Sequence, residues 1–146
     1  MQSLHINTGE IRLCVNDDPN RVITFNPTDI SFVERFYNLL GEFEEKEKEY
    51  RQKAEALQEN TEVGAFDIPK NLGSALGLLR ETSAFLREKI DNVFGAGTSQ
   101  AAFGEANTLD MFEQFFEGIT PFVQKAREKQ VSKYTAPPAS YRNVLK

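Results

Sequence analysis

Few residues in this chain have the type and spacing that chemistry requires. A single cysteine, Cys14, and a single histidine, His5, rule out an intramolecular disulfide and leave no basis for a cysteine-rich zinc site or a His-rich metal centre. Gly95-Ala96-Gly97-Thr98-Ser99 has the composition of a phosphate-binding loop. Such loops follow a buried strand, and a Walker loop also needs a lysine beside its Ser or Thr. Here the preceding residues have helical periodicity, so the glycines read as a helix stop followed by a new start. Asp17, Asp18 and Asn20 carry oxygen ligands, but a calcium loop spaces at least about five of them and closes with Glu, and Pro19 and Arg21 interrupt that pattern. They read as turn residues. The carboxylates between Glu42 and Glu55 have a Lys or Arg about one turn away, which keeps them ionised and unsuited to general acid catalysis. No catalytic residue, cofactor site or metal site is assigned, and the chain is expected not to be an enzyme.

The elements that would position any site are legible in the spacing of apolar residues. Alternation in Leu4-His5-Ile6-Asn7 and in Ile11-Arg12-Leu13-Cys14-Val15 predicts strand, with Thr8-Gly9 as a bulge or short turn between the two pieces. The turn chemistry of Asn16 to Asn20 then leads to a partner strand, Arg21 to Phe25. Asn26 is expected to cap the first helix, with Pro27 at its first position. Ile30, Val33, Phe36, Tyr37, Leu40 and Phe43 would line one face of it, thinning to Tyr50, Ala54 and Leu57 over a charged second half that projects into solvent. Glu42 to Lys46, Glu44 to Lys48, Glu47 to Arg51 and Glu49 to Lys53 lie four apart in the favourable orientation.

Glu59 to Asp67 has no period and ends that helix, with Asn60 and Gly64 as stops. A second helix opens at Ile68-Pro69-Lys70, and its seam of Leu72, Leu76, Leu79, Ser83, Leu86, Ile90 and Val93 alternates steps of four and three. Leu78, Phe85 and Phe94 widen that seam. Asn107, with Asp110, is expected to cap a third helix carrying Leu109, Phe112, Phe115, Phe116 and Ile119. Pro121 should kink or end it near Gly118, with a further segment from Pro121 to about Lys133. The fold class is therefore α+β and mostly α: an N-terminal β-hairpin followed by a three- to four-helix bundle in one domain over 1–134, with a disordered, flexible tail over 135–146. Its predicted core is Val33, Phe36, Leu40, Leu76, Leu79, Leu86, Ile90 and Phe112.

Composition narrows the function class. The 146 residues are 40% hydrophobic and 27% charged with net charge -5, an ordinary balance without the basic footprint of a nucleic-acid binder. No apolar run is long enough to span a bilayer, and Met1-Gln2-Ser3 opens neither a signal peptide nor a lipidation motif, so no membrane partner and a cytosolic location are expected. With twelve phenylalanines and no tryptophan, the informative cluster is Phe103, Phe112, Phe115, Phe116 and Phe122. Core packing accounts for part of it, but adjacent Phe115 and Phe116 point about 100° apart on a helix. Phe103, Phe115, Phe116 and Phe122 are therefore the candidate partner-binding residues, with Pro121 turning the chain to present them. The hairpin's open edge and the seam through Leu72, Leu79 and Leu86 also predict a homo-oligomer.

Three stretches resemble small proteins from the tail-assembly gene cluster of prophages of Gram-positive hosts: Asn16 to Pro27, Val93 to Gly104 and Met111 to Phe122. The resemblance covers residues 4 to about 134. It implies a tail assembly chaperone in the host bacterial cytoplasm, which binds the long helical tape-measure protein and helps major tail protein polymerise around it. Two other classes are weighed beside it: a structural minor tail or connector protein of the virion, and a small phage-encoded inhibitor acting by protein binding.

Overall fold

The computed structural model describes residues 1–59 and 62–134. Its elements are β1 (Ile11–Val15), β2 (Asp18–Phe25), α1 (Ile30–Gln58), a short 3₁₀ turn (Ala65–Asp67), α2 (Leu72–Phe94), α3 (Thr98–Phe103) and α4 (Leu109–Tyr134). The α+β hairpin-then-helices architecture is the one read from the sequence. The predicted tail, 135–146, and Asn60 lie outside the described residues.

β1 and β2 pair antiparallel from Ile11 opposite Phe25 to Cys14 opposite Val22, after which the register shifts so that Val15 meets Asp18. The irregular stretch holds Pro19, which has no amide to give to a ladder. Asn16 and Asp17, at φ 53° and 60°, make the two-residue turn, shorter than the five residues of turn chemistry suggest. Both positive φ values suit the right-handed strand twist, and Asn and Asp tolerate them. Asp18 accepts from the Asn20 amide at 2.9 Å, so its oxygen serves the chain's own backbone. The alternating segment from Leu4 to Asn7 joins no strand and is exposed, His5 included. Alternation alone does not recruit a strand without a neighbour to pair with. Gly9 is instead held near Thr28, in a left-handed conformation where a Cβ would collide with the threonine side chain.

α1 begins one turn later than expected. Asp29 caps it by accepting from the Ser31 amide at 3.0 Å, while Asn26 folds an Asx turn back on Thr28. Its buried face is Phe32, Phe36, Leu39 and Phe43, not the full stripe predicted. Val33 and Leu40 are half-buried and Ile30 is exposed. Of the expected α2 seam, Ser83, Leu86 and Ile90 are buried, whereas Leu72 and Leu76 are exposed. Pro121 sits inside a continuous α4, correcting the expected break. It leaves the Glu117 carbonyl without its helical amide, yet Phe116, Ile119 and Val123 are buried on both sides of it and hold the helix in place.

The core is an aromatic chain. Phe94 is its hub, with ring centroids 5.8 Å from Phe25, 5.2 Å from Phe32, 6.1 Å from Phe36 and 5.1 Å from Phe115, each near edge-to-face. The hairpin joins this core through Ile23 and Phe25. Arg21 fastens it there: Nε and an Nη donate to the Ala101 and Ala102 carbonyls, both at 2.8 Å, at the C-terminal end of α3.

Candidate functional site

The chemistry-bearing residues are not gathered. Cys14 is exposed on β1, and among the described residues no group of three His, Cys, Asp or Glu is placed to hold a metal ion. No helix there is long and apolar enough to cross a membrane. The glycine segment ends α2, with Gly95 at φ 117° and Gly97 at φ 87°. The donors that a phosphate would need are already taken: Asp91 accepts from the Ser99 amide at 2.8 Å and from its hydroxyl at 3.0 Å. The start of α3 is thus capped by a carboxylate of the same chain.

The four aromatic candidates divide. Phe103, Phe115 and Phe116 are buried, with Phe103 packed on Phe112 at 4.7 Å and Phe116 on Phe43 at 4.9 Å. Their side chains hold the domain together, and only their edges reach the surface, Phe103 and Phe115 in one cleft and Phe116 in another between α1 and α4. The 100° between Phe115 and Phe116 is accommodated because the hairpin and α3 cover one direction while α1 covers the other. Phe122 alone keeps a partly open ring, which also meets Phe25 edge-on at 6.1 Å.

Exposed apolar surface lies elsewhere. The second half of α1 and the first half of α2 form a two-helix arm, and residues 62–70 between them close a small hydrogen-bonded loop. Val63 bridges Pro69, the Gly64 amide donates to the Ile68 carbonyl at 2.7 Å and the Lys70 amide to the Glu62 carbonyl at 3.0 Å. Phe66 occupies the tip at φ 57°, ψ 29° and is 95% exposed. A left-handed backbone is costly for a bulky residue, and this one displays its ring to solvent. Val63 and Ile68 in the same turn, and Leu72 and Leu76 at the start of α2, are exposed as well. Behind the tip, Tyr50, Ala54 and Leu57 of α1 face Ala75 and Leu78 of α2 across a cleft of about 370 Å³. The sequence carries one signal for this surface: a phenylalanine inside an aperiodic Gly-Ala-Phe-Asp-Ile-Pro segment.

The charged face of the arm is built as the spacing predicts at two positions. Glu47 pairs with Arg51, and Glu49 with Lys53 at 2.8 Å and Lys46 at 3.6 Å. Glu42 turns instead across to Lys89 of α2, 3.6 Å away. The hydrogen bond from Lys53, then the charge of Lys46, lowers the Glu49 pKa, and the same bond to Glu49 raises that of Lys53.

The profile of a family described as "Family of unknown function (DUF6673)" matches residues 20–144, from near the start of β2 onward. No curated protein and no solved structure matches the chain.

Proposed function

The chain belongs to this family of unknown function, and we propose that it works without chemistry, as a tail assembly chaperone that holds apolar stretches of a tape-measure protein. The observation that carries the reading is the arm tip: Phe66 displayed on a hydrogen-bonded turn, with Val63 and Ile68 exposed in the same turn and Leu72 and Leu76 exposed at the start of α2. Surfaces of this kind bind by removing apolar area from water, worth roughly 25 cal/mol per Å². They also release their partner without a covalent step, as a chaperone must. The resemblance of the Asn16 to Pro27, Val93 to Gly104 and Met111 to Phe122 stretches supplies the identity of the client. The four aromatic candidates change roles within this reading: Phe103, Phe115 and Phe116 support the scaffold, and Phe66 joins Phe122 as a contact residue.

Self-association belongs to the same proposal. The sheet has two strands among the described residues, and Leu72 and Leu76 remain uncovered on α2. The host bacterial cytoplasm is the compartment where such assembly takes place.

Co-expression tests the reading. Wild type should keep the tape-measure protein soluble and co-purify with it, and Phe66→Ala should weaken that capture while the fold is unchanged. A chaperone should also be missing from purified particles analysed by mass spectrometry. Its presence there in stoichiometric amount would transfer the assignment to a minor tail or connector protein.

A further inference from the structure

α1 carries more apolar surface than its own core uses. The core stripe is Phe32, Phe36, Leu39 and Phe43, but Ile30, Val33, Tyr37 and Leu40 repeat at steps of three and four on a second stripe, roughly 100° round the helix. Ile30 is 73% exposed. That second stripe lies against α4 in two stretches. One, of about 640 Å³, runs between Ile30, Val33 and Tyr37 of α1 and Arg127 and Gln130 of α4. The other, of about 460 Å³, has a floor of Leu40, Phe43 and Phe116.

Ile30, Val33, Tyr37, Leu40, Glu44 and Glu47 follow one line of three- and four-residue steps along α1, so the two stretches lie end to end on the same side of the α1–α4 pair and read as one groove. From Ile30 to Glu47 it runs about 25 Å, the length of a helix of about 17 residues. Its ends differ in charge. At the α1 start, Glu34 and Arg127 face each other across the mouth, and Arg127 lies 6.0 Å from the Tyr37 ring. At the other end Glu44, Glu47, Glu113 and Glu117 rim the apolar floor. Glu47 is paired with Arg51. Among the described residues, Glu44, Glu113 and Glu117 have no cation within ion-pair distance.

We propose that the α1–α4 groove is the seat of a third helix from a partner, amphipathic over about five turns and carrying Lys or Arg at the end that meets Glu44, Glu113 and Glu117. The apolar stripe supplies the contact and the glutamates set the direction, since a cationic end reversed toward the α1 start would exchange three unpaired carboxylates for the balanced pair of Glu34 and Arg127. The helix macrodipole adds to the same choice, placing the partner's positive N-terminus among the carboxylates. This deepens the chaperone reading by adding to the arm tip a second surface and by naming the chemistry of the client, and it rests on that reading only for the client's identity.

The test uses the full chain and an 18-residue synthetic helix with leucines at steps of three and four and three lysines in its first turn. A second peptide has glutamates in place of those lysines. By fluorescence anisotropy the lysine peptide should bind at least tenfold more tightly than the glutamate peptide. Glu113→Lys with Glu117→Lys should erase that difference, Ile30→Glu should weaken binding at least tenfold, and Cys14→Ser, on the exposed side of β1 away from the groove, should leave it unchanged. Circular dichroism reports whether each variant keeps its fold, and all four substitutions are at exposed positions. Equal affinity for the two peptides, or binding untouched by Ile30→Glu, overturns the proposal. So does dimerisation of wild type that Ile30→Glu abolishes, because the occupant is then a second copy. If wild type captures the tape-measure protein and the groove variants capture it equally, the groove falls and the chaperone reading stands. If wild type fails to capture it while the peptide results hold, the groove stands and the client is another protein.

Discussion

Phenylalanine does opposite work at two positions of this chain. Phe36 is fully buried between Phe32, Phe94 and Phe116, so Phe36→Ala should cost about 3–5 kcal/mol through lost burial and the cavity left behind. Phe66 touches almost nothing, and Phe66→Ala should change stability by no more than about 0.5 kcal/mol. Chemical denaturation of the two variants checks both values. A large loss at Phe66 would mean that its ring covers the arm and is not on offer to a partner. Sequence spacing distinguishes the two poorly, because periodicity marks helical faces and Phe66 belongs to no helix. The same limit explains Phe103, Phe115 and Phe116: a cluster of aromatics is visible as text, but whether it is wrapped depends on the hairpin packing from far away in sequence.

At the scale of elements, hairpin and helices were legible because apolar period and stop signals agree. Boundaries were less so. Asn26 and Asn107 have the right side chains for caps, yet Asp29 and Thr108 cap their helices, while Asn107 accepts from Arg87 at 2.9 Å. Which residue caps is decided by where the backbone turns, and tertiary partners compete for the others. By spacing alone the stripe on α1 is one face, because its two sub-stripes are adjacent, and only the position of α4 separates them. The charged half of α1 depends on conditions in a way the buried half does not. Glu49 has its pKa lowered in the fold, so its contribution is present above the usual carboxylate range and lost as pH falls through it. Lys53 has its pKa raised, so its contribution is present at neutral pH and lost as pH rises through the usual lysine range. Arm helicity followed by circular dichroism should therefore fall at both extremes and with added salt, which screens exposed pairs. A flat profile between acid and alkaline limits would show that packing on α2 alone sustains the arm.

The whole molecule is a body and an arm. In the body, β1, β2, α3, α4 and the adjoining halves of α1 and α2 share one aromatic core. In the arm, no residue of α1 beyond Phe43 is buried. Amide exchange should follow that division, with Phe32 to Phe43 protected to nearly the global unfolding free energy and Glu44 to Gln58 opening far more readily. Mass spectrometry of deuterated fragments would read both. Uniform protection along α1 would argue that the arm and body unfold as one.

Arg21 gives the body a consequence in time. Its acceptors, the Ala101 and Ala102 carbonyls, follow it in the chain by about 80 residues, and Phe25 waits for Phe94 and Phe122. At about 5–20 residues per second of synthesis, roughly 4–16 s separate the making of Arg21 from that of the helix end it fastens. Throughout that interval Ile23 and Phe25 sit on a two-stranded ribbon too small to hold together alone. The nascent hairpin is thus an aggregation-prone segment, and overproduction rate, more than final stability, should govern how much of this protein is recovered soluble.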